Sequence, residues 1–381
     1  MNLQSKLPTV GTNIFSIMSG LANQHGAINL SQGFPDFDCP EALQDRVSFH
    51  LKNGKNQYVP MAGVPLLRER LAKKMEHSYG TPIHPDTDIT VTAGATQALF
   101  TAITAFVHTN DEVILIEPAY DCYRPAIELA GGIPVIYELH GPDYQINWDD
   151  FAKLISPKTK MIVINTPHNP IGKVRSAADM EELQRLTKDT DIIVLSDEVY
   201  EHLIFDDATH QSVLRFPDLY QRSLLVYSFG KTFHSTGWKM GYCVAPEYLM
   251  REFRKVHQFN VFSCNSFVQY GIADFLENAE RYESLPTFYQ QKRDFFQKEM
   301  EGSPLQPLSS EGSYFQLYDY SKVSDLPDLD FAKYLTKEIG VAVIPVSAFY
   351  SSGRDERVVR FCFAKKEETL ASAGKLLREI G

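Results

Sequence analysis

The chain has 381 residues, of which 44% are apolar and 22% are charged, and its net charge is −11. This composition is typical of a globular protein, and the length suggests two domains. The negative charge and the lack of a Lys/Arg block argue against a nucleic-acid partner, and no apolar run approaches the roughly 20 residues of a membrane span.

The cysteines and histidines give no sign of a disulfide framework or a metal site. The five cysteines are scattered, odd in number and without Cys-x-x-Cys spacing, which favours free thiols in a reducing compartment. The eleven histidines form no ligand cluster, so no metal is expected. The segment Met1–Pro8 lacks the apolar core of a signal peptide, and a cytoplasmic location is therefore expected.

The pattern along the chain predicts an N-terminal arm, a large domain and a small domain. Residues 1–40 are predicted to be an arm that packs with the small domain, with a short amphipathic helix start at Ile14–Met18 and a turn-rich segment at 29–37. Residues 41–280 form the predicted large domain. Residues 281–381 are predicted to be a smaller α+β unit, with a helix over 282–301 and strands at 341–346 and 358–363.

Strand signals in the large domain alternate with helical stretches, including helices expected from Ala98 and over 120–129. The predicted strands are continuous apolar runs at 89–93, 112–116, 133–137, 160–164, 191–195, 224–227 and 242–245. Such runs are expected when helices cover both faces of a sheet. The sequence therefore predicts an α/β fold with a mostly parallel, doubly wound seven-stranded sheet.

The first of these strands ends in small residues. Gly94, Ala95 and Thr96 lie between the strand and the helix that follows it. Free amides at such a helix N-terminus suit a phosphate group. The alternative is a tight turn with a threonine cap.

Three later strands end in polar side chains that a parallel sheet would bring to one edge. Asn165 and Asn169 follow one strand, Asp197 and Tyr200 follow the next, and Ser228 to Lys231 follow the third. Each has a structural alternative: Asn169-Pro170 as a turn, Asp197-Glu198 as a helix cap, and Tyr200 as a core residue. Four strand ends that carry complementary groups favour a shared site.

The lysine indicates the chemistry of that site. An amine with a lowered pKa condenses with an aldehyde, so Lys231 is interpreted as the residue that forms a Schiff base with pyridoxal phosphate. Ser228 and Lys239 would hold the phosphate. A Walker nucleotide loop is the alternative for Gly230-Lys231-Thr232, but it needs glycine at 225, where the chain has Leu225. A surface lysine in a strand-to-helix turn also remains open.

The neighbouring groups match what this cofactor needs. The Asp197 carboxylate can keep the ring nitrogen protonated, and Tyr200 and Asn169 can hydrogen-bond the ring oxygen. Lys231 would then act as the base that moves the substrate Cα proton. Burial and nearby positive charge should lower the pKa of Lys231, which favours both of its roles.

The chain resembles class I/II aminotransferases of the type I pyridoxal-phosphate fold, nearest the branch with the methionine aminotransferases and the kynurenine (glutamine) transaminases. The segments that carry this resemblance are Asn29–Phe37, Asn165–Val174, Ser196–Tyr200, Ser228–Thr232 and Arg360–Phe363. The resemblance implies a transaminase that moves an amino group to a 2-oxo acid by a ping-pong mechanism.

The resemblance also implies further site residues and a homodimer with shared active sites. It implies phosphate contacts from Gly94, Ala95 and Thr96, ring stacking by Tyr120, a phosphate contact from Tyr58 of the second subunit, and carboxylate contacts from Arg360, Asn165, Asn169 and Gly33. Many family members carry arginine where Lys239 stands. The change keeps the positive charge but loses the two-pronged donor.

The side-chain pocket is implied to be aromatic, lined by Phe15, Tyr58, Tyr120 and Phe262. Such a pocket favours methionine, phenylalanine, tyrosine, histidine, and also glutamine or kynurenine, over aspartate. Two alternative functions remain: a pyridoxal-phosphate-dependent cysteine-conjugate β-lyase, and a non-catalytic sensor on the same fold. Regulators of the second kind usually carry an added DNA-binding domain, which the sequence does not predict.

Overall fold

A computed structural model describes residues 3–380. Met1, Asn2 and Gly381, at the ends of the predicted arm and small domain, lie outside the described residues. The strands are β1 Ile28–Asn29, β2 Ile89–Thr92, β3 Glu112–Glu117, β4 Ile133–Glu138, β5 Thr159–Asn165, β6 Ile193–Asp197, β7 Ser223–Ser228, β8 Gly241–Val244, β9 Gln306–Pro307, β10 Phe315–Asp319, β11 Val341–Ala342, β12 Ile344–Pro345 and β13 Val358–Cys362.

The helices lie between and after these strands. They are α1 Ile14–His25, α2 Glu41–Lys52, α3 Pro65–Tyr79, α4 Ala95–Phe106, α5 Tyr123–Ala130, α6 Trp148–Ala152, α7 Ala177–Thr187, α8 Pro217–Tyr220, α9 Phe229–Thr232, α10 Glu247–Asn260, α11 Ser266–Phe275, α12 Glu280–Glu283, α13 Leu285–Glu299, α14 Asp328–Tyr334 and α15 Glu367–Leu377. Within the described part of the chain, no helix is both long enough and apolar enough to cross a membrane.

The large sheet has seven strands in the order β2-β8-β7-β6-β5-β3-β4. The five strands from β7 to β4 are parallel, and β8 runs antiparallel to both of its neighbours. The prediction of a mostly parallel seven-stranded sheet is confirmed. Asn165 at the end of β5 pairs in register with Asp197 at the end of β6, so both polar groups reach the same edge.

Apart from the edge strand β4, which is only partly buried, the strands of this sheet are buried on both faces, which explains the continuous apolar runs. Successive side chains of a strand point to opposite faces. Along β3, Ile114 and Ile116 pack into one core cluster, whereas Val113 and Leu115 pack into a second. Because both faces of β3 pack into a hydrophobic core, a polar residue at every second position would be buried. This explains why the strand is apolar at consecutive positions.

A second sheet, β12-β13-β10-β9, is antiparallel and brings C-terminal residues toward the large sheet. Separately, β1 of the N-terminal segment pairs in parallel with β11. The predicted single strand over 341–346 is wrong, because β11 pairs with β1 while β12 pairs with β13. The division into domains at 41–280 and 281–381 stays a prediction.

Several predicted helix boundaries also differ from the structure. The helix predicted over 282–301 is two helices, because Pro286 in the first turn of α13 has no N–H to continue a preceding helix. Helix α4 begins at Ala95 rather than Ala98, and α5 begins at Tyr123 rather than Tyr120. The arm contains a full helix, α1, capped by the Asn13 side chain at one end and by left-handed Gly26 at the other.

Candidate active site

A cavity of about 220 Å³ lies where β5, β6 and β7 end and α4 begins. The arm covers it from one side and the small sheet from another. Fourteen of the sixteen predicted site residues line this cavity: Phe15, Gly33, Gly94, Ala95, Thr96, Tyr120, Asn165, Asn169, Asp197, Tyr200, Ser228, Lys231, Lys239 and Arg360. The other two, Tyr58 and Phe262, lie elsewhere.

The Lys231 amine projects into the cavity from the short helix α9, directly after β7. Its Nζ donates hydrogen bonds to the Gly33 carbonyl at 3.0 Å and to the Tyr314 hydroxyl at 2.7 Å. Part of the side chain faces the cavity, but protein atoms enclose it otherwise. Burial lowers the pKa of Lys231 to about 8, the direction expected from the sequence.

The Asp197 carboxylate is buried at the end of β6 and is held by two donors. The Tyr123 hydroxyl donates to its Oδ2 at 2.6 Å, and the Val199 backbone N–H donates to its Oδ1 at 3.3 Å. Burial raises the pKa of Asp197 to about 6, although the bond from Tyr123 opposes this shift. A carboxylate held in this way offers negative charge to a cationic group in the cavity.

Asn165 and Asn169 occupy the loop after β5. Both ends of the Asn165 side chain are engaged, since its amide donates to the Asp197 carbonyl at 2.9 Å and its oxygen accepts from the Asn169 N–H at 2.8 Å. The Asn169 Oδ1 accepts from Arg360 Nη1 at 2.7 Å. Asn165 therefore positions the neighbouring backbone, and its predicted contact with a substrate carboxylate stays a prediction.

The Arg360 guanidinium comes from β13 and is 1% exposed. It donates to Asn169 and to the Ser31 carbonyl, and its Nε–H has no partner within residues 3–380. Its carbon lies 3.9 Å from the ring centre of Phe315 and 5.0 Å from that of Phe349. Burial lowers the pKa of Arg360 to about 10, so the group remains a cation at neutral pH. Its positive charge and its Nε–H, left without a partner among the described residues, make the group suited to an anionic ligand.

The opposite end of the cavity is built for a compact anion. Gly94 has φ of +81° before the first residue of α4, and a Cβ there would lie 3.5 Å from Lys239 Nζ. Gly241 lets β8 approach closely, because a Cβ there would lie 3.0 Å from the Ala95 nitrogen. The N-terminal amides of α4 and the Lys239 cation therefore face the same space, as expected for a phosphate site.

The packing of Glu198 and Tyr200 bears on their structural alternatives, a helix cap and a core residue. Glu198 caps no helix that follows its own strand; its carboxylate accepts from the N–H of Val213, the first residue of the 3-10 helix Val213–Arg215, at 3.0 Å, from His210 Nε2 at 2.9 Å and from the Tyr227 hydroxyl at 3.0 Å. Tyr200 is buried, as a core residue would be, yet it also lines the cavity. Burial raises the pKa of Tyr200, so its hydroxyl keeps its proton.

Tyr58 and Phe262 form a pair on the surface of the chain. They are 83% and 46% exposed, and their ring centres lie 5.4 Å apart in an edge-to-face arrangement. Phe262 has a left-handed backbone with φ of 66°, which is rare for an aromatic residue. The two loops are tied by hydrogen bonds between Ser263 Oγ and the Val59 backbone. Neither ring lines the cavity of its own chain, and the expectation that Phe262 lines the substrate pocket stays a prediction.

Sequence reasoning missed several residues that complete the site. Tyr123 holds Asp197, Tyr314 holds Lys231, and Phe315 stacks on Arg360. Tyr123 begins α5, and Tyr314 lies in the segment before β10. Nothing in their local sequence marks a polar role, because each acts on a group more than 70 residues away. Only the tertiary fold brings them together.

The donor set fits pyridoxal phosphate. The cavity offers an enclosed amine for an aldehyde, a buried carboxylate for a ring nitrogen and a glycine-lined helix N-terminus for a phosphate. No cluster of three or more His, Cys, Asp or Glu side chains that could hold a metal ion occurs between residues 3 and 380.

The buried Asp197 carboxylate predicts a pH-dependent cost in stability for the cofactor-free protein. The pKa of an aspartate in an unfolded chain is about 3.9, whereas burial raises the pKa of Asp197 in the folded protein to about 6. Between these values the folded state holds the extra proton, so the free energy of unfolding falls as the pH rises through this window and stays low above it. Asp197→Asn removes this proton uptake but also removes one of the two accepting oxygens, a cost that does not depend on pH. We therefore expect the free energy of unfolding of the variant, relative to that of the parent, to rise by about 2 kcal/mol between pH 4.5 and pH 8.

Urea unfolding of both proteins at several pH values checks this expectation. Asp143→Asn, at an exposed position, serves as the control and should not change the profile. A difference in stability between Asp197→Asn and the parent that does not change with pH would contradict the account.

Comparisons with known proteins show the family to which the chain belongs. The family model of the class I and II aminotransferases matches residues 25–375. The methionine aminotransferase of Escherichia coli (strain K12) is 51% identical over 378 residues, covering 99% of this chain and 98% of the relative. Human kynurenine–oxoglutarate transaminase 1 is 37% identical over 398 residues, covering 94% and 93%.

The structural comparison gives the same result. The solved structure of Escherichia coli YbdL, described as having a methionine aminotransferase function, superposes with a TM-score of 0.98 at 51% identity and covers 100% of both chains. Enzymes of this class depend on pyridoxal phosphate. Its aldehyde, ring nitrogen and phosphate match the amine, the carboxylate and the helix N-terminus that line the cavity. The chain therefore belongs to the class I and II aminotransferase family, and pyridoxal phosphate is its cofactor.

Proposed function

We propose that this aminotransferase takes its amino group from large neutral amino acids, with methionine a good donor and with phenylalanine, tyrosine, histidine, glutamine and kynurenine as further candidates. A 2-oxo acid is the acceptor. The observation that carries the proposal is the surrounding of Arg360, whose guanidinium is packed against aromatic rings rather than against a second cation.

The charges around the cavity support this substrate class. Three cations line it among the described residues: Lys231, Lys239 and Arg360. Lys239 faces Gly94 at the phosphate end and Lys231 is the reactive amine, so Arg360 alone remains for a substrate carboxylate. An aspartate side chain would place a second carboxylate in the cavity without a partner, which is costly.

The walls beside Arg360 suit an apolar side chain. Phe15 and Tyr120 line the cavity, and the Arg360 guanidinium carbon is 5.4 Å from the ring centre of Phe15 and 5.0 Å from that of buried Phe349. Contact between a thioether sulfur and an aromatic ring contributes about 0.3–1.5 kcal/mol. The relatives named for methionine and for kynurenine are consistent with such a pocket.

Each polar residue then has a role that its position allows. Arg360 binds the substrate α-carboxylate with two N–H groups, and Asn169 and Ser31 hold the guanidinium in the required plane. When bound, pyridoxal phosphate withdraws electrons from the substrate Cα and carries the amino group between the two half-reactions. Lys231 Nζ removes the proton from the substrate Cα and later returns one, for which a pKa near neutrality is suited.

The residues around the cofactor position divide into two groups. Asp197, held by Tyr123, supplies the negative charge for the ring nitrogen, while the Tyr200 hydroxyl and the Asn169 amide donate to the ring oxygen. Tyr120 covers the ring face. The amides at Gly94, Ala95 and Thr96, with Ser228 and Lys239, hold the phosphate, and Gly33 presents its carbonyl to Lys231.

The active site is completed by a second copy of the chain in a homodimer. Tyr58 and Phe262 are held against each other at the surface, and Phe259, three residues before Phe262, is 87% exposed. Rings fixed in this manner, one on a strained backbone, are typical of recognition surfaces. In the dimer, Tyr58 reaches the phosphate of the partner's cofactor, and Phe262 forms part of the partner's substrate pocket.

The dimer is also proposed to work in the cytoplasm. All five cysteines are free, and three of them are only partly buried. Free, partly accessible thiols are typical of a reducing compartment.

A donor panel tests the substrate class. With enzyme saturated in pyridoxal phosphate and a common 2-oxo acid acceptor, we expect kcat/KM for methionine and phenylalanine to exceed that for aspartate by about 100-fold or more, because aspartate buries an unpaired carboxylate. Histidine, glutamine and kynurenine complete the panel. Aspartate as the best donor would refute the proposed class.

Mixed dimers test the shared active site. Lys231→Ala and Tyr58→Ala should each be nearly inactive, but a co-expressed 1:1 mixture should recover about a quarter of the parental activity, because half of the dimers contain one intact site. A mixture of Lys231→Ala and Asp197→Ala is the control, since both groups belong to the cavity of one chain and no intact site can form. A mixture whose activity is no higher than that of the two variants measured separately would contradict a shared site.

A further inference from the structure

A closed set of three hydrogen bonds surrounds the reactive amine. Lys231 Nζ donates to the Tyr314 hydroxyl at 2.7 Å and to the Gly33 carbonyl at 3.0 Å. The Tyr314 hydroxyl in turn donates to the same Gly33 carbonyl. The Gly33 oxygen therefore accepts two donors, which uses both of its lone pairs.

The Tyr314 ring is fixed by its surroundings. It is fully buried and packs against Tyr200, Phe315 and Tyr289, with ring centres 5.1, 4.9 and 6.0 Å away. A hydroxyl on such a ring has little freedom to move. Lysine, by contrast, has a long flexible side chain that loses entropy when it is held in one place.

The direction of these bonds decides what Tyr314 can do. The Tyr314 hydroxyl donates its hydrogen bond to the Gly33 carbonyl. The Tyr314 oxygen therefore accepts a hydrogen bond from Lys231 and does not donate one to it. Burial raises the pKa of Tyr314, so it does not release its proton near neutral pH. The hydroxyl is therefore no proton relay. An ammonium group has three N–H donors, of which two are used here and the third is free to face the cavity.

We propose that Tyr314 is a positioning residue that, with the Gly33 carbonyl, holds the Lys231 amine beside the cavity whenever that amine is not bonded to the cofactor. The proposal deepens the function above and rests on the role given there to Lys231. It adds a residue of the same chain to the site, one that does not line the cavity itself.

This geometry has a consequence for proton transfer. During each half-reaction the freed amine must remain within reach of the substrate Cα, and a displacement of about 1 Å can cost about 100-fold in rate. Two fixed acceptors keep Nζ in place while its third position remains available. Loss of one acceptor would leave the amine mobile and would weaken its ammonium form.

The first test measures the amine itself, without turnover. In the cofactor-free protein, competitive labelling with acetic anhydride across pH values, read by peptide mass spectrometry, gives the pKa of Lys231. Tyr314→Phe removes one acceptor from the charged form, so the labelling midpoint should move down by about one pH unit. Tyr289→Phe is the matched control, because this buried hydroxyl binds His234 Nδ1 at 2.9 Å and does not touch Lys231.

The second test measures proton transfer in the holoenzyme. The probe is the donor that the parent enzyme uses best in the panel, with deuterium at Cα. Tyr314→Phe should lower kcat about tenfold to a hundredfold with little change in KM, and the isotope effect on kcat should increase because proton transfer becomes slower relative to other steps. Tyr289→Phe should leave the isotope effect at the parental value.

An unchanged labelling midpoint or an unchanged isotope effect in Tyr314→Phe would overturn the proposal. If Tyr314→Phe does not fold, a crystal structure of the parent enzyme with the cofactor in its amino form decides. A distance of about 3.2 Å or less between Lys231 Nζ and the Tyr314 oxygen would support the proposal, and more than about 4 Å would overturn it. The labelling experiment uses cofactor-free protein and no amino donor. A failure of the proposed substrate class in the donor panel would therefore leave its result unchanged, so the two proposals can fail separately.

Discussion

The structure depends on enclosing three ionisable groups around one small cavity. The amine of Lys231, the carboxylate of Asp197 and the guanidinium of Arg360 are all enclosed by protein, and burial shifts the pKa of each toward its neutral form. A buried charge is costly unless specific partners compensate for it. The fold supplies Tyr314 for the first, Tyr123 for the second and Asn169 for the third, and each leaves part of the group available to a ligand.

These partners come from parts of the chain that are distant in sequence. The parallel strands β5, β6 and β7 bring Asn165, Asp197 and Ser228 to one edge of the large sheet. The N-terminal segment passes between this edge and the small sheet, where the Gly33 carbonyl accepts from Lys231 and the Ser31 carbonyl accepts from Arg360. This segment therefore contacts both of the groups that are proposed to act on the substrate.

Much of this arrangement could be predicted because strong local patterns produced it. Strands buried on both faces, such as β3, must be continuously apolar, and a polar group just after such a strand stands out, as Asp197 and Lys231 do. Tyr314 and Tyr123 could not be found in this way, since a tyrosine in an aromatic region looks like core. The split of 341–346 between two sheets depends on which strands β11 and β12 meet in the fold. The outward position of Phe262 likewise depends on its left-handed backbone, which no local pattern marked.

The central claim is that the enclosed amine of Lys231 is the group that bonds to the cofactor, and reduction with borohydride tests it most directly. Holoenzyme treated with sodium borohydride, digested and mapped by mass spectrometry should carry the phosphopyridoxyl group on the peptide that contains Lys231. The account is contradicted if the group is found on another lysine, such as Lys239, or if no covalent product forms while the cofactor remains bound.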